Sequence, residues 1–181
     1  MTSTTTRLRA AVRDSGTPLA SSLGDTEPAA GDPADDELAL LAAGGPRVAS
    51  EHRADVEIAV AAVDEGYRLH YATSRALRID DADLALLAGD RMYALGLARL
   101  ATIGDLTAIA ELADVIGLAA QAHAGDDADL AEAAWQAGAT AIAQGPTPET
   151  DAAKKLARAG DPGAARALRD AAQALLDTSA T

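Results

Sequence analysis

The sequence predicts an all-α fold, and two observations about its composition carry that expectation. Of 181 residues 48 are Ala and only four are aromatic, so buried volume has to come from small side chains on closely packed helices. Ala and Leu favour helix strongly, whereas β-branched residues are few here and never alternate with polar ones as half-buried strands require.

Charge and cysteine content exclude several function classes. The formal net charge is −13, and the 15 basic residues are scattered, which disfavours a protein that holds nucleic acid by neutralising phosphates. There is no Cys, hence no disulfide framework, thiolate zinc site or cysteine nucleophile. No stretch approaches the ~20 apolar residues that span a bilayer. Residues 1–13 are Thr-rich, carry three Arg and lack the apolar centre of a secretory signal, so a cytoplasmic protein without a transmembrane segment is expected.

Along the chain, residues 1–34 mix Ser, Thr, Gly, Pro and Asp and are expected to form a flexible tail, with a transient helical turn over 7–13. A single helical domain over 35–178 follows. Its first helix starts at Asp35 and Asp36 and stops at Gly44-Gly45-Pro46; a second is expected over 49–77, with Val56, Val60, Val63, Tyr67, His70 and Tyr71 at helical spacing. The third, 82–103, is apolar nearly all round and is expected in the middle of the bundle. The fourth, 106–124, shows a stripe at Ile109, Ala113, Ile116 and Ala120. A fifth, 128–144, surrounds Trp135 with Ala, and shorter helices are expected over 150–159 and 163–176. Lys154, Lys155, Arg158, Arg166 and Arg169 make these last two the most basic part of the chain, either a solvated face or a contact for an acidic partner.

The hexapeptide Asp-Asp-Ala-Asp-Leu-Ala occurs twice, at 80–85 and 126–131. Clustered carboxylates suit Mg²⁺, above all with a diphosphate supplying further oxygens. Both copies also stand where one helix gives way to the next, where Asp is a favoured N-cap. Capping is the preferred reading of Asp80, Asp81, Asp83, Asp126, Asp127 and Asp129, and of Asp105 and Asp161, each preceded by Gly. His52, His70 and His123 show no metal-ligand spacing, and His123 is expected to answer free carbonyls at a helix end. Trp135 and Tyr93 read as core anchors.

One Gly-Asp pair does not punctuate. Gly89-Asp90 lies inside the apolar third helix, where Gly costs up to ~1 kcal/mol relative to Ala. A buried carboxylate there needs a partner. Arg91, Arg75 or a group on a neighbouring helix would supply it, with Gly89 allowing that neighbour close; the pair is either a structural ion pair or part of a cleft or interface.

The run Leu86-Leu87-Ala88-Gly89-Asp90-Arg91-Met92-Tyr93-Ala94-Leu95, followed by Leu100-Ala101-Thr102-Ile103-Gly104-Asp105, resembles the Gly-Asp helix of trans-polyprenyl diphosphate synthases. It is most similar to that helix in the small, noncatalytic subunit of heterodimeric heptaprenyl or hexaprenyl diphosphate synthases. Upstream, Asp64-Glu65-Gly66-Tyr67-Arg68-Leu69-His70 resembles the small-subunit helix that carries a His, so the likeness covers about residues 53–124. The chain departs from the catalytic members. Leu84 and Leu130 stand where a DDxxD motif has its final Asp, and Gly44-Gly45-Pro46-Arg47 lacks the Lys of the family's diphosphate loop. Without those charges little neutralises two diphosphates.

The resemblance therefore implies a reduced isoprenoid-synthase fold and a noncatalytic subunit, with no catalytic, metal or cofactor residues of its own. It would pack on a catalytic polyprenyl diphosphate synthase, whose Mg²⁺ sites do the chemistry, and help form the apolar cleft that sets chain length in isoprenoid, here menaquinone side-chain, biosynthesis. Gly89, Asp90, Tyr93, Leu87, Met92, Leu95, Ile116 and His70 are the interface or cleft candidates, and an isoprenoid chain the ligand shared with that partner. Two alternatives stay open: a stand-alone helical interaction or regulatory domain without prenyl chemistry, and a weak prenyl-binding enzyme using Asp80, Asp81 and Asp83 with Mg²⁺.

Overall fold

The computed structural model describes residues 3–16, 20, 23 and 36–179. Among these, eight α-helices follow in chain order: α1 (Thr4–Asp14), α2 (Glu37–Gly44), α3 (Arg53–Tyr71), α4 (Ala82–Ile103), α5 (Leu106–Ala124), α6 (Ala128–Gln144), α7 (Pro148–Arg158) and α8 (Ala164–Ser179), with a 3-10 turn at Ser50–His52 leading into α3. The described residues contain no strand, and no helix among them is long and apolar enough to cross a membrane.

The centre of the bundle is α6 rather than α4. From Ala137 to Ala143 every α6 residue is buried, and α2, α5, α7 and α8 all pack against it. A helix sheathed in Ala, Gly and Thr is thin enough for neighbours to close in from several sides. The Leu-rich α4 instead lies on the surface against α3, burying only Ala88, Gly89, Met92, Gly96 and Leu100. Its inward face alternates small residues, Ala88, Gly89 and Gly96, with Met92 and Leu100, and part of the bulk that suggested a central position, Leu84, Leu86 and Leu87, points outward. A similar rotation holds for α5, which buries Ala108, Leu112, Val115, Leu118 and Ala119 while Ala113 is exposed and Ile109 and Ile116 are half-buried.

Two regions depart from the expected boundaries. Helix α3 ends at Tyr71, not at residue 77, because the buried Glu65 offers the following backbone a different partner. Its carboxylate accepts the N–H groups of Arg75, Ala76 and Leu77 at 3.2, 3.0 and 3.3 Å and the Ser74 hydroxyl, folding Ala76 and Leu77 back into the core.

The second departure lies in the span 1–34. Thr4–Asp14 forms three turns of helix seated on α3, with Leu8 and Val12 buried. Ser3 caps α1, Thr4 N–H donates to Asp36 at 2.9 Å, the Thr4 hydroxyl and Arg7 donate to Glu57, and Arg9 donates to the Ala76 carbonyl at 2.7 Å. The Arg residues that made this stretch look polar are the ones that fasten it. From residue 17 to 34 the expected tail lies outside the described residues, apart from Ala20 and Leu23.

Of the aspartates read as caps, three occupy the N-cap of a helix, while Asp129 instead pairs with Arg169 and Asp161 accepts from Gly163 N–H. Asp81, Asp105 and Asp127 accept from Leu84, Ala108 and Leu130 N–H at 2.8, 2.9 and 2.9 Å. Arg47, in the segment that echoes a diphosphate loop, donates to the Ile142 carbonyl at 2.7 Å and grips both carboxylate oxygens of Asp105 at 3.0 and 2.8 Å. It thereby ties the end of α6 to the start of α5. Burial pushes the Asp105 carboxyl up, but the Arg47 and Ala108 hydrogen bonds and the Arg47 charge prevail and hold it below the usual carboxylate range.

Three of the five basic residues of α7 and α8 pair with acids on neighbouring helices, while Lys155 is exposed and Arg166 reaches Asp170 on its own helix. The buried Lys154 donates to both Glu111 oxygens at 2.7 and 2.6 Å and pairs with Asp114 at 3.1 Å, Arg158 also reaches Asp114, and Arg169 pairs with Asp129 at 2.5 Å.

If α1 belongs to the folded unit, Leu8→Ala should lower unfolding free energy by about 2 to 5 kcal/mol in urea titration, the range for emptying a buried leucine site. An unchanged midpoint would place α1 outside that unit.

Candidate functional site

Helices α3 and α4 meet along a seam lined with glycine. A Cβ on Gly96 would lie 2.6 Å from the Ala59 carbonyl oxygen and 2.8 Å from a Val63 methyl; one on Gly66 would lie 2.7 Å from the Tyr93 ring; one on Gly89 would lie 2.6 Å from the His70 ring. None of these separations is open to a real side chain, so the two backbones stand as near as they do because three glycines face across the contact. The interior Gly at 89 is thus explained by close approach.

At the end of the seam where α3 finishes and α4 begins, the aromatic residues gather. Tyr93 stacks on His70 with centroids 5.4 Å apart and planes within 5°. His70 adjoins Tyr71 at 5.7 Å, and Tyr71 stacks on His123 of α5 at 4.2 Å. Tyr67 shares a 2.9 Å hydrogen bond between its hydroxyl and His123 Nε2, and its ring meets Trp135 of α6 edge-on at 5.6 Å. All three Tyr, the one Trp and two of the three His of the chain therefore form one continuous array. Burial raises the phenol pKa of both Tyr93 and Tyr67, which keeps both phenols neutral. His123 accordingly has a side-chain partner rather than the helix-end carbonyls expected for it.

Beside this array α2, α3 and α6 enclose a cleft of about 410 Å³, with Tyr67 and Trp135 in its wall and Glu37, Asp64, Arg68 and Glu132 around it. On the far side of α3, α1 and α4 border a groove of about 730 Å³ whose apolar lining includes Ile58, Leu95 and Ile103, with Arg7, Arg91 and Arg99 among its polar residues.

The sequence-derived candidates fall into three groups. Gly89, Tyr93 and His70 come together in the seam. Met92 is fully buried beneath them, and Ile116 is half-buried on α5, while Leu95 lines the α1–α4 groove. Leu87 and Asp90 point outward: Leu87 is 66 % exposed, and the Asp90 side chain is 72 % exposed rather than buried. Asp90 needs no internal partner to survive there, and neither Arg91 nor Arg75 supplies one; the nearest cationic candidate is His70 Nε2, 3.2 Å from Asp90 Oδ1 but without hydrogen-bond alignment.

Tyr67, Tyr71, His123, Gly66 and Gly96 were not legible as site residues. The one available signal was the 67, 70, 71 spacing on a single helical face. Among the described residues no group of three or more His, Asp or Glu side chains is placed to hold a metal ion. No protein family, curated protein or solved structure matches the chain, so the likeness to polyprenyl synthases rests on the motif residues alone.

The seam yields a paired expectation. Gly96→Ala should destabilise the protein by about 1 to 3 kcal/mol, because the new methyl meets the Ala59 backbone. Gly117→Ala, on an exposed face of α5 with open space around it, should stabilise by up to ~1 kcal/mol through helix propensity. Thermal or urea unfolding of the two variants checks the sign; equal effects would mean the seam is looser than described.

Proposed function

We propose that this chain is a noncatalytic helical subunit that docks on a partner through the outward face of α4, and that the partner is a catalytic trans-polyprenyl diphosphate synthase. The observation that carries the docking half is the exposure of Leu84, Leu86 and Leu87 at 47, 45 and 66 % near the start of α4, next to the exposed Asp90. Three large apolar side chains within four residues, on a helix whose opposite face is already committed to α3, make an apolar patch of the kind that marks interaction sites. Tyr71, 41 % exposed, belongs to the aromatic array at the same end of the seam. The identity of the partner is supported by the Gly-Asp helix motif, which falls on this same element.

Catalysis, Mg²⁺ and the diphosphates belong to the partner in this reading. The contribution of this chain in this reading is apolar surface, and the exposure of Leu87 and the groove position of Leu95 support a role in facing an isoprenoid tail. Each methylene removed from water contributes about 0.8 kcal/mol, so a wall supplied by a second subunit changes which product lengths stay bound. Met92, sealed under α3, supports α4 from behind and does not form part of such a wall.

Affinity capture from native lysate should recover a catalytic polyprenyl diphosphate synthase in near-equal amount. Leu87→Glu should weaken that capture at least about tenfold by placing a charge in an apolar joint, with no fall in unfolding midpoint because the site is exposed in the free chain. Recovery of the bait alone would favour a stand-alone helical interaction domain and remove the prenyl assignment. Capture that survives Leu87→Glu would move the joint away from α4.

A further inference from the structure

Helix α5 is apolar on both of its faces, and one of them is uncovered. Its inner face closes on α6, while Leu106, Ala110, Ala113 and Gly117, at helical spacing along one line, are exposed, with Ile109, Ile116 and Ala120 half-buried along a flank of that line. Leu106 is 75 % exposed, more than any other large apolar residue described, and a side chain at Gly117 would meet open space in the single chain. A helix that is apolar all round belongs inside an assembly rather than at a free surface.

Charge and shape together narrow what covers that face. The chain carries a net −13, yet the exposed line of α5 holds no charge. The two acids of the helix, Glu111 and Asp114, are both paired with Lys154 of α7, and Arg158 also reaches Asp114. Two copies of so acidic a chain repel over most of their surfaces, and α5 lets them meet without setting carboxylate against carboxylate. The leucine patch of α4, by contrast, is bordered by the exposed Asp83 and Asp90, which a second copy would duplicate. The α5 face is also complementary to itself. In an antiparallel pair with its two-fold axis at Ala113, Leu106 of one copy meets Ala120 of the other, Ile109 meets Gly117, Ile116 meets Ala110, and Ala113 meets its own counterpart, so every large side chain falls on a small one.

We propose that two copies of this chain associate through α5 as a two-fold dimer. A helix of 19 residues is about 28 Å long, so a single helix pair makes a joint smaller than the roughly 1,200 Å² at which stable complexes begin. The dimer is therefore reversible, with a dissociation constant of about 10 to 100 µM. It uses α5 rather than the start of α4 and needs no other protein, so it stands apart from the polyprenyl reading and leaves Leu84, Leu86 and Leu87 uncovered.

Sedimentation velocity of the full-length chain over about 1 to 500 µM should show a monomer–dimer equilibrium. Ala113→Glu, which sets two carboxylates together at the axis, should weaken it at least about tenfold, with the unfolding midpoint of the dilute chain unchanged because the site is exposed there. Leu87→Glu, on the α4 patch, should leave the equilibrium as it is. The chain contains no Cys, so single-Cys variants report the register: Ala113→Cys should oxidise to a covalent dimer well ahead of Leu87→Cys. A lone monomer throughout the concentration range would overturn the proposal. So would a dimer that Ala113→Glu leaves intact, a dimer that Leu87→Glu abolishes, or cross-linking no faster for Ala113→Cys than for Leu87→Cys.

Discussion

The contact between α3 and α4 is the constraint on which the rest of the arrangement depends. Gly66, Gly89 and Gly96 let two helices approach until backbone and ring atoms of one touch the backbone of the other. Each interior Gly costs up to ~1 kcal/mol in helix propensity, a loss that dispersion between close surfaces offsets only if the approach is real. The consequences spread outward from there. His70 and Tyr93 are clasped into a stack, the end of α3 is held where Tyr71 and Tyr67 reach His123, and α4 satisfies its inner face with Ala88, Met92 and Leu100. Leu84, Leu86 and Leu87 are then left on the outside.

That outcome shows what was legible in the sequence and what was not. Helix boundaries for α4, α5 and α6 follow from local chemistry, an Asp cap in front and a Gly behind, and local chemistry is readable. Burial is not local. A Leu-rich helix and an Ala-rich helix compete for the middle of a bundle, and α6 occupies it because small side chains admit several neighbours at once. The same reasoning explains Asp90: placed in a central helix it demands a partner, whereas on a surface helix it rests in water. Glu65 is the opposite case, a carboxylate that looks unremarkable in sequence and organises a buried loop through three backbone N–H groups.

Charge is distributed with a similar logic. The described basic residues are largely spent within the fold, Arg47 on Asp105, Lys154 on Glu111 and Asp114, Arg169 on Asp129, Arg7 on Glu57. These contacts tie elements distant in sequence, α5 to α7, α6 to α8 and α1 to α3. The surplus acids remain outward, so the surface offers either apolar patches, as on α4, or carboxylates, as beside the Tyr67–Trp135 corner. An apolar patch of that kind is suited to contact with another apolar surface.

The most direct test of the central contact is the proximity of Gly89 to the His70 ring, read by nuclear Overhauser effects between the Gly89 α-protons and the ring protons of His70 in the full-length chain. A strong effect, with the Gly89 α-protons displaced by the ring current, is the result this account predicts. Its absence, with α3 and α4 both still helical, would mean that the helices stand apart, and the explanation of both the interior glycines and the outward leucines would fall with it.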